Sequence, residues 1–259
     1  LRPGVEGLEL DRAAAGGLGA CIVAGLLEAE GVHAEHGVVA RHGLGPGRQH
    51  AQEPVAEHPV VHAEAVLQPI VMQGPRQIAD LRAAATDLVD IMLPGDKPND
   101  NKVAIAPFST SVNAGSLTNA VSVGVDSRGR SQAGRNTTCV TERSGAEAFT
   151  DAAPASKMLN RKATFCPTTA VVPLTNDVDA LHDAINSLRA NGMTAGHLGT
   201  AWAYYLLSPN WASVFPADSE PVAYDEPTVR KVAILMTDGM FNSTYESANG
   251  SSVTQARNI

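Results

Sequence analysis

The first 71 residues contain no Ser, Thr, Asn, Lys, Phe, Tyr or Trp. Those types make up roughly a quarter of an average protein. Without aromatic side chains a core loses its largest buried surfaces. Without Ser, Thr or Asn, helices and turns lose most of their capping groups, although Asp and Gly remain. The first aromatic residue of the chain is Phe108. The pattern is that of GC-rich DNA translated out of frame. The expectation is an anomalous low-complexity segment over residues 1–71, which peptide mass spectrometry covering that stretch in frame would refute.

Other absences narrow the function. No run of apolar residues is long enough to span a bilayer. The apolar stretch Ala13–Leu27 lacks the basic flank and polar cleavage region of a signal peptide. The net charge of −8 leaves no general affinity for nucleic acid or anionic membrane. No G-x-S-x-G, G-x-x-x-x-G-K-[ST] or H-E-x-x-H occurs, so no common hydrolase or nucleotide-binding signature is present. The enzyme reading is accordingly the weakest. His182 and His197 stand alone and read as surface or helix-end residues.

Six of the 8 histidines (33, 36, 42, 50, 58 and 62) lie in the first segment. The pairs His33/His36 and His58/His62 have spacings that share a helix face. His33-Ala34-Glu35 matches the H-x-E of zinc deaminases, but the P-C-x-x-C that must complete such a site is missing. A biased, poorly structured segment is the better reading.

From Gln77 onward the local signals agree. Ile78, Leu81, Ala85, Leu88 and Met92 fall at helical spacing, with Asp80, Arg82, Asp87 and Asp90 off the stripe. They predict an amphipathic helix of about four turns, ended by Pro94-Gly95. A polar turn, Asp96–Asn101, leads into KVAIAPF, Lys102–Phe108, which reads as a strand. Residues 109–170 form a polar insertion of weak periodicity, with Cys139 and Cys166 inside it. Either these two form a disulfide, stabilising by about 3–4 kcal/mol in the chain-entropy model, or they are two buried free thiols. The compartment decides between the two.

Further on, Val178, Leu181, Ile185 and Leu188 mark a second helix, capped from Thr175-Asn176-Asp177 and stopped by Asn191-Gly192. Thr194–Gly199 reads as a loop. A third helix runs from His197 or Leu198 to Leu207 and carries Trp202, Tyr205 and Leu206. Ser208-Pro209-Asn210 breaks it. VRKVAILM, Val229–Met236, is apolar enough for a strand buried on both faces. It ends in Thr237-Asp238-Gly239. This alternation predicts an α/β fold with a doubly wound, mostly parallel sheet, in which ligands sit beyond the carboxyl ends of the strands. Asp238 followed by Gly239 is then a metal-loop candidate, against the plainer reading of an Asp-capped turn.

The segments QIADLRAAATDLVDIML (Gln77–Leu93), VAIAPFSTSVN (Val103–Asn113), CVTERSGAEAFTDAAP (Cys139–Pro154), Cys166–Asn191, GHLGTAWAYYLLSPN (Gly196–Asn210) and VAILMTDG (Val232–Gly239) resemble the von Willebrand factor A domain. The likeness is to its form in TadG-like proteins of the Flp (tight adherence) pilus system. It implies a Rossmann-like vWA domain over residues 77–259, truncated at the C-terminus and incomplete at both ends. It implies a protein-binding module on the periplasmic or extracellular side of the cell envelope, and hence a Cys139–Cys166 disulfide in that oxidising compartment. Its alternative is a metal-independent structural component of pilus assembly.

The same resemblance implies a Mg²⁺ site built from three loops, with Thr194 on the second and Asp238 on the third, supported by Gly239. On that alignment, with Met72 just after the first loop, the first loop's ligand positions hold Leu67, Pro69 and Val71, none of which has a side-chain donor. The metal site is therefore expected to be degenerate.

Overall fold

The computed structural model describes residues 19–25, 66–67, 75–95, 101–123, 138–237 and 239–259. In chain order these form β1 (Gly19–Gly25), β2 (Val66–Leu67), α1 (Pro75–Met92), β3 (Lys102–Phe108), β4 (Val112–Asn113), α2 (Thr118–Val121), β5 (Cys139–Val140), β6 (Val172–Thr175), α3 (Val178–Ser187), α4 (Gly196–Leu207), β7 (Lys231–Thr237) and α5 (Ser252–Asn258).

The amphipathic stripe read from sequence forms α1. Pro75 occupies its first position, where a missing N–H costs nothing. Its far end is closed by the Asn101 side-chain amide, which donates to Met92 O at 2.8 Å. In α3 the Asp177 carboxylate caps the start, accepting from Ala180 N at 3.0 Å. Helix α4 starts at Gly196, so part of the stretch read as a loop is helical. It is buried nearly all round, which marks a central helix. At Gly199 an added Cβ would come within 2.5 Å of the Phe108 ring. That glycine is what lets α4 lie close against β3.

Strand β3 organises the two layers of core by simple alternation. Val103 and Ile105 face α1 and α3, packing with Leu81, Val89, Leu181 and Ile185. Ala104, Ala106 and Phe108 face α4, packing with Leu198, Trp202 and Leu206. Helices thus cover both faces of the sheet.

The sheet itself overturns the expected doubly wound, mostly parallel arrangement. Every ladder pairing among its strands is antiparallel. Its main strands run in the order β6–β3–β1–β7, with β4 and β5 continuing from the end of β3. Two physical reasons account for the difference. Between β3 and β6 the described chain holds no long crossover helix, so β6 returns antiparallel to β3. And β1, from the segment read as poorly structured, lies between β3 and β7 and runs against both. The alternation rule assumes that the strands flanking each helix become parallel neighbours, whereas β3 and β7 are separated by β1. Strand β7 also departs from expectation. Leu235 and Met236 are buried, but Val232 and Ile234 are half-buried and Ala233 is exposed.

Candidate functional site

The two strands that flank β1 end together. Phe108 of β3 and Thr237 of β7 both stand opposite Gly19. Since both are antiparallel to β1, their carboxyl ends point the same way. The turn that carries Thr194 sits at this end. Ala195 N donates to Ser109 O at 2.8 Å, and Met193 N donates to Thr110 Oγ1 at 2.8 Å. Thr194 N donates to Asn242 Oδ1 at 2.9 Å, and Thr194 O accepts from Asn242 N at 3.0 Å. Thr194 is thereby pinned between the chain leaving β3 and the chain that follows β7. Gly192 makes the turn possible with φ of +87°, and an added Cβ there would meet Thr110 Oγ1 at 2.8 Å and the Phe165 ring at 2.9 Å.

The Thr194 hydroxyl is fully buried and has no hydrogen-bond partner, and the same holds for the Ser109 hydroxyl. A buried orphan hydroxyl costs free energy unless something meets it. A divalent cation would be one such partner, but the remaining donors do not assemble. Asp238 lies outside the described residues, as do Pro69 and Val71, and Leu67 has no oxygen to offer. Gly239 N donates to Thr237 Oγ1 at 3.2 Å, closing a local turn. Among the described residues no group of three or more His, Cys, Asp or Glu side chains is placed to hold a metal. The Thr194 and Ser109 hydroxyls carry no charge, and Mg²⁺, which dehydrates reluctantly, needs further oxygen ligands beside them.

Calorimetric titration of the chain is therefore expected to show no Mg²⁺ binding below millimolar concentration. The triple substitution Leu67→Asp, Pro69→Ser, Val71→Ser tests the alignment of the first loop. If it creates a site, Asp238→Ala should abolish that site and Thr194→Ala should weaken it less. Micromolar Mg²⁺ binding by the unaltered chain, insensitive to Asp238→Ala, would show that both assignments are wrong.

A second constellation lies behind this turn. His197, in the first turn of α4, places Nδ1 2.8 Å from Ser252 Oγ and Nε2 3.5 Å from Glu142 Oε2. The other oxygen of Glu142 accepts from Thr244 Oγ1 at 2.9 Å, from Tyr245 N at 2.5 Å and from Glu246 N at 2.7 Å. Burial pushes the Glu142 carboxyl up, but the facing His197 and the Glu246 backbone N–H outweigh it and bring it down to about 2. At 3.5 Å the contact between His197 Nε2 and Glu142 Oε2 is long for a hydrogen bond. Ser, His and Glu are the components of a hydrolase relay. Here all three are buried, at 2%, 1% and 5% exposure, so no substrate carbonyl reaches Ser252 Oγ. In this conformation the arrangement fastens the segment after Asn242 onto α4 and the Glu142 loop. Asn249 adds to it, donating to Arg143 O at 2.7 Å.

His197 thus stands at a helix end, one of the two places expected, but as a buried anchor and not at the surface. His182 sits half-buried between helices, its Nε2 3.0 Å from Asp90 Oδ1. Glu142 escaped notice as a site residue although it lies in the distinctive CVTERSG text. The only signal was an acidic residue flanked by Thr and Arg next to a cysteine. The structure joins Cys139 to Cys166. No protein-family model matches the chain, and searches of curated proteins and of solved structures return no significant match. Among the described residues no helix is long and apolar enough to cross a membrane.

Proposed function

We propose that residues 77–259 belong to a protein-binding module of a cell-envelope protein, resembling in sequence, though not in sheet direction, the von Willebrand factor A domains of Flp pilus assembly, and that its partner docks at the Thr194 turn. One observation carries the location of the face. Met193 and Met240 are 47% and 48% exposed; Met193 precedes Thr194 in the chain, and Met240 lies two residues before Asn242, whose side chain accepts from Thr194 N. Exposed methionines beside a polar turn make an adaptable contact surface, because the side chain is flexible and polarisable. The sequence segments quoted above support the family, and the Cys139–Cys166 bond supports an oxidising compartment on the periplasmic or extracellular side.

A metal-independent contact is the second reading within this class, supported by the described residues holding no group of three or more His, Cys, Asp or Glu side chains placed to hold a metal. The test uses the paired substitution Met193→Glu, Met240→Glu, with Ile91→Glu on α1 as the exposed apolar control. Cross-linking in intact cell envelopes, followed by identification of the cross-linked proteins, is expected to show one partner lost at least tenfold in the paired variant and kept in the control. Chelation of divalent ions should leave that partner in place if the contact is metal-independent. An unchanged cross-linking pattern in the paired variant removes the Thr194 face from consideration.

A further inference from the structure

We infer that the Cys139–Cys166 disulfide is a redox-sensitive brace for the Asn191–Ala195 turn, acting through Phe165. The inference concerns the order of the turn and stands apart from what the turn binds.

Cys139 begins β5 and pairs with Asn113 of β4. Cys166 lies on the returning chain beside Phe165, whose carbonyl accepts from Ser111 Oγ at 2.5 Å. The Phe165 ring lies directly against Gly192, so closely that a Cβ there would strike it. The next amide, Met193 N, is held by Thr110 Oγ1, and the one after it, Thr194 N, by Asn242 Oδ1. The disulfide fixes Cys166, Cys166 restrains Phe165, and Phe165 backs the turn.

A second link limits the consequence of breaking the first. The Asn113 amide donates to Pro167 O at 2.9 Å and to Thr168 O at 3.2 Å, and its oxygen accepts from the Thr138 hydroxyl. Asn113 therefore ties together the same two stretches of chain that the disulfide joins. Reduction should loosen Phe165 and the turn without parting the strands.

Cys139 is fully buried and Cys166 half-buried, so Cys166 Sγ is the sulfur a reductant reaches. A thiolate of a small dithiol forms a bond to Cys166 Sγ, the Cys139–Cys166 bond breaks, and Cys139 leaves as a thiolate that takes up a proton. The second thiolate of the reductant then attacks its own sulfur in the mixed disulfide and releases Cys166, which is protonated in turn. The reductant departs oxidised to a cyclic disulfide, and the protein gains two electrons and two protons.

The experiment is amide hydrogen exchange on the full chain, oxidised and after dithiothreitol, with thiol titration to show that two further thiols have appeared. Met193 and Thr194 amides are expected to exchange at least tenfold faster after reduction. The near-ultraviolet circular dichroism of Trp202, Tyr205 and Trp211 should stay unchanged. Phe165→Ala in the oxidised protein should reproduce the faster exchange with the disulfide intact. Unchanged exchange at Met193 and Thr194 after reduction overturns the inference. So does collapse of the aromatic signal together with the turn, because the bond would then staple the whole domain. A Phe165→Ala variant whose turn stays protected overturns the relay through the ring.

Discussion

Glu142→Ala is expected to cost about 3–5 kcal/mol of stability at neutral pH, because hydrogen bonds to a charged group are worth about 1.5–3 kcal/mol each and a buried donor left unmet costs more than one re-satisfied. The loss has two sources. Glu142 Oε1 receives three donors from Thr244, Tyr245 and Glu246, and each is left without its acceptor. His197 loses the carboxylate beside Nε2. Urea denaturation at pH 7 should read the difference directly. The pH dependence gives an independent check. The Glu142 carboxyl titrates at about 2 in the folded chain against an ordinary 4.5. A carboxyl lowered on folding stabilises the fold fully above its ordinary range, and that stability drains away as pH falls toward the lowered value. Its share is about 3 kcal/mol, present above pH 4.5 and lost on approach to pH 2. Glu142→Gln should flatten this part of the acid limb. If the variant and the parent lose stability in parallel between those pH values, the carboxylate is not what holds the segment after Asn242.

How much of this was legible in the sequence depends on the reach of each signal. Helices α1 and α3 and strand β3 were legible because a single face or a short apolar run carries them. The short pieces β4, β5 and β6 were not, because Asn113, Pro173 and Thr175 read as turn residues and only pairing to β3 or β4 makes them strand. Helix α5 carries no apolar stripe, since what it buries are Ser252 and Gln255. The direction of the sheet was out of reach. It hinges on β1, whose GACIVAG sequence has no periodicity that says where it pairs or which way it runs.

The site divides along the same line. Thr194 was named only through the resemblance to the von Willebrand factor A loops, since its own neighbourhood reads as a plain loop, and its buried, orphaned hydroxyl shows that the position is unusual. Glu142 and His197, and likewise His197 and Ser252, are 55 residues apart along the chain, and no local spacing connects them. A histidine that looks isolated in sequence is isolated only until the fold chooses its neighbours.

Trp211→Ala should be the other variant with a large effect, about 3–5 kcal/mol. Trp211 is completely buried and stacks on Tyr205 with ring centroids 4.0 Å apart and 7° between planes. It meets Trp202 edge-on at 6.0 Å, and its indole N–H donates to Asp151 O at 3.1 Å. Its removal leaves a cavity, an unmet carbonyl and a further loss specific to this site. The Arg143 guanidinium lies 5.1 Å from the centroids of both Tyr205 and Trp211, buried, with Nε and Nη2 unpartnered. Burial lowers the Arg143 pKa, so the cation is held at a cost that the two ring faces offset. Taking away one face should make that charge a liability. Arg143→Met, which keeps most of the volume and drops the charge, should by itself be neutral or stabilising. Introduced into Trp211→Ala, it should recover part of the lost stability, so that the double variant is more stable than Trp211→Ala alone. Urea midpoints for the four proteins of this cycle measure the coupling. Strictly additive losses would mean that the guanidinium draws its stabilisation from somewhere other than the Trp211 ring.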